Sequence, residues 1–311
     1  MNKKILVVDT MHDSLGDMLN ELGYEMDYRP DIDRPEILQI IDGYEGLIIR
    51  SKTIVDQEII EKAKRLRFVG RAGAGLDKLD VKGLTARGVS LLNAPEGNRD
   101  AVGEHVLGMI LGLANKLRSS DIEIRSGQWN REGNRGFELN GKTVGIFGYG
   151  FMGSTVAEKL KGFGCNVIAF DKYKSGFSSD AVTEVTWDEF TAHTEVLSVN
   201  VPLTSETKGF FNEECLLSFE QLKFLINTAR GEVVVLKDLV KLLSNEDLIG
   251  AGLDVLENEK INNLTEDEQN TFNALVQLPN VILSPHVAGW TFDSYRRINE
   301  VLVKKISELN E

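Results

Sequence analysis

Residues 143–171 constrain the fold of this chain more than any other stretch. A short apolar run, Thr143-Val-Gly-Ile-Phe147, enters the turn Gly148-Tyr-Gly-Phe-Met-Gly153. A helical pattern from Ser154 to Phe163 leaves it, and a second run, Cys165-Asn-Val-Ile-Ala-Phe170, stops at Asp171. Strand, glycine turn, helix, strand and acid in that order make up a dinucleotide-binding unit. Gly148 permits the tight turn, Gly150 lets the backbone approach a pyrophosphate, and Gly153 lets the helix pack closely on the sheet. The helix N-terminus presents unpaired N–H groups and the positive end of its dipole to the phosphates. The alternative is a merely structural glycine turn, and Asp171 at the end of the second strand argues against it. A carboxylate there accepts hydrogen bonds from the ribose hydroxyls and repels a 2′-phosphate, which favours NAD over NADP. Lys172 and Lys174 just downstream pull the other way.

At 311 residues the chain has room for two domains, each with its own core. Its 42% hydrophobic and 27% charged residues are those of an ordinary soluble protein, and its formal charge of −13 argues against a nucleic-acid surface. Any anion site must therefore be a local pocket of positive charge. Cys165 and Cys215 are the only cysteines and are expected to be buried reduced thiols, with no disulfide framework. The run Ile5-Leu-Val-Val8 behind Lys3-Lys4 is too short for a signal sequence and ends at Asp9, so it reads as a first strand of a cytoplasmic protein. No apolar run approaches membrane-spanning length.

Residues 5–8, 46–49 and 67–70 are short apolar runs separated by amphipathic stretches at Ser14 to Leu22, Pro35 to Ile41 and Gln57 to Ala63. The alternation predicts a small parallel α/β sheet. A fourth run, Ser90 to Leu92, leads into Asn93-Ala-Pro-Glu-Gly-Asn98 and then a helix from about Arg99 to Leu117. That helix precedes the dinucleotide unit and is a natural bridge between two domains. Later strands are expected at Val196 to Val201, Phe224 to Asn227, Ala251 to Val255 and Val281 to Ser284, followed by a short helical tail from Thr291 to Leu309.

Three polar residues lie just past predicted strand ends of the second sheet, where open parallel sheets place their ligand crevice: Arg230, Glu259 and His286. Together they supply what hydride transfer from an alcohol requires. The histidine takes the hydroxyl proton, a carboxylate stabilises the imidazolium, and a guanidinium holds a substrate carboxylate and polarises the forming carbonyl. Read singly, each has a plainer role, His286 as a cap or packing residue and the other two as solvated loop charges. Spacing does not show that they meet. His12, His105 and His193 read as structural or surface residues, and Trp129 and Trp187 as packing groups.

The segments Arg71-Ala-Gly-Ala-Gly-Leu-Asp77, Gly148-Tyr-Gly-Phe-Met-Gly153, Val199-Asn-Val-Pro-Leu-Thr204, Asn227-Thr-Ala-Arg-Gly231, Gly252-Leu-Asp-Val-Leu256 and Ser284-Pro-His-Val-Ala-Gly289 follow one another as in the D-isomer-specific 2-hydroxyacid dehydrogenases. The resemblance covers nearly the whole chain. It implies two doubly wound, Rossmann-like α/β domains, with a nucleotide domain (99–287) inserted into a discontinuous substrate domain (1–98 and 288–311). It implies catalytic roles for Arg230, Glu259 and His286. It also implies NAD contacts at Gly148, Gly150, Phe151, Met152, Gly153 and Asp171, and at Pro202, Thr207, Thr228, Ala229, Asp254 and Gly289. A homodimer is expected from it, with the Arg99 to Leu117 helix as a contact, and no metal.

Within the family the chain resembles most the dehydrogenases of 3-phospho-D-glycerate, which make 3-phosphohydroxypyruvate at the start of serine synthesis. The matching phosphate-side residues are Arg50 and Arg71, with Asn98 a further substrate contact and the Ala74-Gly75 backbone a donor loop for the carboxylate. Two arginines ending separate strands of an acidic protein independently suit a dianion pocket, though ordinary strand-end charges are the alternative. The unphosphorylated acids glyoxylate and hydroxypyruvate, or a dinucleotide-sensing binding role without catalysis, remain the rival readings. There are departures from the family pattern. Lys260 replaces a common proline, with a long acidic stretch to Gln277 expected to loosen the glutamate loop. Trp290 replaces a small hydroxyl residue and is expected to set a bulky ring next to His286 and reshape the substrate pocket. Asn200 replaces a frequent histidine. The regulatory ACT domain of many relatives, and feedback inhibition through it, are not expected here.

Overall fold

The computed structural model describes residues 3–309. The chain forms two compact units, one running up to Arg99 and resuming at Trp290, the other spanning Asp100–Gly289.

The first unit is built on β1 (Lys3–Val7), β2 (Tyr24–Tyr28), β3 (Gly46–Ile49), β4 (Phe68–Arg71) and β5 (Ser90–Asn93), all parallel in the order β2-β1-β3-β4-β5. The central strands are apolar throughout because both faces are covered, as parallel sheets require. Leu6, Leu47, Ile49 and Val69 point to one face, against Ile37, Ile59, Ile60 and Leu84 of three helices. Ile5, Val7, Ile48 and Phe68 point to the other, against Leu15 and Leu19 and against Ile298, Leu302 and Ile306 of the tail helix Phe292–Glu308. Apolar residues of the tail helix fall at helical spacing, and Thr291 caps it with Ser294, so the C-terminal segment completes this unit's second layer.

The second unit carries β6 (Thr143–Phe147), β7 (Asn166–Phe170), β8 (Thr183–Glu184), β9 (Val196–Val199), β10 (Phe224–Asn227), β11 (Gly250–Leu253) and β12 (Val281–Leu283), parallel in the order β12-β11-β10-β9-β6-β7-β8. Val102, Val106, Met109 and Ile110 of the long helix pack with Val144, Ile146 and Ile226 on one face. On the other face Phe147 gathers Trp187, Phe190, Phe210 and Phe211 into an aromatic cluster. Each sheet reverses strand order once, at β1/β3 and at β6/β9, and the crevice beyond those strand ends is where such sheets bind ligands.

Several expectations shift. Strand β2 carries no apolar run in the sequence because it is an edge strand interrupted by Glu25 and Asp27, and β8 is only two residues long. The helix expected at 99–117 runs Pro95–Ala114. It is broken by Lys116 at φ +51°, and a further helix, Leu117–Arg125, follows. Most of the acidic stretch after Lys260 is helical: Thr265 and Glu268 form a capping box that opens the helix Glu266–Gln277. Trp187 is a packing residue, but Trp129 is 81% exposed.

Cys165 and Cys215 are free thiols and only half-buried. Burial pushes the Cys215 thiol up to about 11, and raises Cys165 as well. Because the thiolate is the reactive form, both should alkylate slowly at pH 8 in the folded protein and rapidly after unfolding. Iodoacetamide labelling followed by mass spectrometry measures this, and fast labelling of Cys215 in the native state would contradict it.

Candidate active site

Between β6 and the helix Phe151–Leu160 the chain turns at Gly148, whose φ of +92° excludes other residues without strain. A Cβ on Gly153 would lie 2.1 Å from the Gly148 carbonyl oxygen, so the helix approaches the turn as closely as glycine allows. A Cβ on Gly150 would meet nothing within 4 Å, and no side chain caps the helix. An open space in front of uncapped amides at the Phe151–Gly153 turn is what a pyrophosphate needs. Asp171 stands at the end of β7. Its carboxylate accepts from Tyr149 N at 2.8 Å, Tyr173 N at 2.9 Å and Lys174 N at 3.1 Å, which fix its orientation beside the turn. The residues present therefore fit a dinucleotide. After β9, Thr207 Oγ1 donates to Pro202 O at 2.7 Å, so its hydroxyl closes the turn that follows that strand.

On the same edge, Arg230 follows β10, Glu259 lies beyond β11 and His286 follows β12. Glu259 Oε1 is 2.8 Å from His286 Nδ1, with both side chains about half exposed. That contact leaves Nε2 of the imidazole as the nitrogen available to a substrate. The turn carrying Arg230 is set by Asn227, which is 1% exposed. Its Oδ1 accepts from Ala229 N at 3.0 Å, and its Nδ2 donates to Arg230 O at 2.9 Å. Thr228 and Ala229 lie within that turn. A Cβ on Gly231 would fall 1.9 Å from Leu256 O, so the turn after β10 packs directly on the loop leading to Glu259.

His286 has φ +56°, a strained conformation for a non-glycine residue. Asp254, 1% exposed, holds it there. Its backbone oxygen accepts from His286 N at 2.7 Å, its Oδ1 from Ser284 Oγ at 2.5 Å and Val287 N at 2.9 Å, and its Oδ2 from Ala288 N at 2.8 Å. His105 extends this network, with Nε2 at 2.8 Å from Ser284 Oγ. Since the serine proton goes to Asp254, His105 Nε2 must carry the hydrogen it shares with Ser284. His105 is thus tied to the loop of the candidate base rather than being an isolated structural residue. His12, by contrast, bonds Ser14 locally. Gly289 ends the second unit just past this loop.

In the first unit Arg50 follows β3 and Arg71 ends β4, adjacent strands at the carboxyl edge. Asp9 beyond β1 accepts from Arg50 N at 2.5 Å. The Arg50 guanidinium lies 3.4 Å from the centre of the Trp290 ring, which itself packs on Tyr295. Burial lowers the Arg50 pKa from its ordinary value but leaves it a cation at any physiological pH. Trp290 therefore covers one face of Arg50 and leaves the in-plane N–H groups to bind an anion. Arg71 Nη1 donates to Ala72 O at 3.0 Å and lies across Gly73, whose Cβ would meet it at 1.7 Å. Asn93, which the sequence did not single out, steadies the next residues by donating to Ala74 O at 2.8 Å, with Gly75 following. Asn98 Oδ1 is buried without a hydrogen-bond partner, an arrangement that calls for a ligand or water.

A family model described as "D-isomer specific 2-hydroxyacid dehydrogenase, NAD binding domain" matches residues 107–288. The chain is 32% identical over 308 residues to a D-3-phosphoglycerate dehydrogenase of Archaeoglobus fulgidus, covering 97% of this chain and 56% of that protein. It is 33% identical over 276 residues to a hydroxypyruvate reductase of Thermotoga maritima, covering 88% of each. A crystal structure of D-lactate dehydrogenase from Aquifex aeolicus, complexed with NAD and lactic acid, is similar at a TM-score of 0.83 and 26% identity, over 99% of this chain and 95% of that one. The chain spans just over half the length of the Archaeoglobus relative. The domain that carries the glycine turn is an NAD-binding domain.

Proposed function

The chain belongs to the D-isomer specific 2-hydroxyacid dehydrogenase family, and from that premise we propose that it is an NAD-dependent oxidoreductase interconverting 3-phospho-D-glycerate and 3-phosphohydroxypyruvate, the step that opens serine synthesis. The observation that carries the dehydrogenase reading is the Glu259–His286 pair at 2.8 Å, on a turn that Asp254 holds in a strained conformation. Gly148, Gly150, Gly153 and the amides of Phe151 and Met152 would hold the pyrophosphate, with Asp171 on the adenosine ribose and Pro202, Thr207, Thr228, Ala229, Asp254 and Gly289 along the rest of the nucleotide. NAD, when bound, supplies the hydride acceptor. His286 Nε2 takes the hydroxyl proton as the C–H hydride leaves and the carbonyl forms, and Glu259 stabilises the resulting imidazolium. Arg230 pairs with the substrate carboxylate and polarises the forming carbonyl oxygen.

Arg50 and Arg71 would take the substrate phosphate, with Ala74, Gly75 and Asn98 as further substrate contacts. Oxidation of NADH with a panel of 2-keto acids tests this directly. Replacing either arginine with Ala should weaken 3-phosphohydroxypyruvate roughly ten- to a hundredfold more than hydroxypyruvate, the worth of a charge-assisted hydrogen bond to a dianion. The ring of Trp290 on the face of Arg50 favours a second reading, in which the site takes a smaller unphosphorylated acid such as glyoxylate or hydroxypyruvate. Equal losses for both substrates in each arginine variant would select that reading. NADH binding without turnover on any acid would select a dinucleotide-sensing protein.

We further expect a cytoplasmic homodimer. Its contact surface would be the helix that the sequence places at Arg99 to Leu117, on the face away from the buried Val102, Val106 and Met109, continued by the exposed Leu117, Ile122 and Ile124. Among the described residues no helix is long and apolar enough to cross a membrane.

A further inference from the structure

We propose that Glu206 is a second determinant of cofactor choice, because it engages Lys172 and Tyr173 at the adenosine end of the nucleotide site and so denies Lys172 to a 2′-phosphate. The inference rests on the dinucleotide reading of the glycine turn and goes beyond it. Strands β7 and β9 flank β6 on opposite sides. Lys172 and Tyr173 follow β7, and Glu206 lies on the turn after β9. Glu206 Oε2 is 2.9 Å from Lys172 Nζ and accepts from Tyr173 Oη at 2.5 Å. Two strands removed in a sheet means a separation of about 10 Å, so these bonds form a strap across the end of β6, where the glycine turn sits.

The position of Glu206 is built rather than incidental. Its own amide donates to Thr204 Oγ1 at 3.2 Å, and Thr207 ties the turn to Pro202 O. Lys174, the other cation that follows Asp171, donates to Tyr149 O at 3.1 Å. Asp171 already accepts three backbone N–H groups. A carboxylate has about four lone-pair positions, so it keeps about one for a ribose hydroxyl. Asp171 alone is therefore a limited discriminator beside two lysines, each of which would otherwise attract a phosphate. An exposed ion pair adds little to stability. Glu206 instead matters by holding the adjacent ammonium of Lys172, which is then not available to a 2′-phosphate.

The test is equilibrium titration of NADH and NADPH in the absence of any acid substrate, followed by intrinsic fluorescence. Parallel calorimetry uses AMP and its 2′-phosphorylated counterpart. In Glu206→Ala the ratio of the NADPH and NADH dissociation constants should fall about tenfold, as expected when a cation becomes available to a phosphate. The gain should shrink with added salt. The double variant Glu206→Ala, Lys172→Ala should return the ratio toward that of the unmutated protein, since the effect passes through Lys172. A ratio in Glu206→Ala within about twofold of the unmutated value, or a gain that survives removal of Lys172, would overturn the proposal while leaving NAD binding intact. Failure of the unmutated protein to bind either nucleotide would instead overturn the dinucleotide reading, and this inference with it.

Discussion

Replacing His286 with Asn is expected to lower kcat roughly 10²–10⁴-fold, the usual contribution of a positioned general acid or base, while the NADH dissociation constant stays nearly unchanged. Asn suits the test for a backbone reason. Position 286 has φ +56°, and Asn is among the residues that best tolerate that region, whereas Ala or a β-branched residue would add strain and confuse chemistry with folding. The variant removes the base and leaves the turn Gly148–Gly153 and Asp171 as they are. Glu259→Gln keeps a hydrogen-bond acceptor for Nδ1 and loses only the charge, so its effect on kcat should be milder than that of His286→Asn. Steady-state kcat with NADH and the best 2-keto acid, set beside a substrate-free NADH titration, separates the two effects. Near-normal turnover by the His286 variant would reject the mechanism.

The glycine turn was legible in the sequence because a glycine reports a backbone requirement directly. Gly148 has a positive φ, and the 2.1 Å approach at Gly153 admits no side chain. The central strands were legible for a related reason: burial on both faces of a parallel sheet demands unbroken apolar runs. Strand β2 hid because only part of it is covered, so its residues carry charges. What holds the site together was largely hidden. Asn227, Asn93 and the chain His105–Ser284–Asp254 are single polar residues whose partners are set by folding, in one case 179 positions away along the sequence. No periodicity marks such residues. Trp290 reads in sequence as a bulky ring set next to His286, whereas the contacts of that ring are with Arg50 and Tyr295, in the unit that the tail helix completes. Lys172 and Lys174 read in the sequence as invitations to a phosphate, and in the fold they are engaged by Glu206 and by Tyr149 O.

Asp254→Asn should cost both stability and turnover, because Asp254 is the buried acceptor on which the His286 turn hangs. Its two carboxylate oxygens receive one hydroxyl and two amide hydrogens. An Asn offers one acceptor oxygen and an NH₂ group, so in either orientation at least one N–H or O–H donor faces another donor in a site that is 1% exposed. Leaving a buried donor unsatisfied costs about 1–3 kcal/mol, which for a domain of this size lowers the unfolding midpoint by roughly 2–12 °C. The loss of turnover should exceed what instability alone explains, since the amides of Val287 and Ala288 fix the loop that keeps His286 at φ +56° against Glu259. Ser284→Ala provides the contrast. It removes one hydrogen bond from Asp254 and the partner of His105 but keeps both amides in place, so kcat should fall far less than in Asp254→Asn. Thermal unfolding and kcat, measured well below the midpoint of each variant, decide the matter. If Asp254→Asn were destabilised yet turned over like the unmutated protein, Asp254 would serve the fold alone, and the geometry of His286 would have to be held by something else.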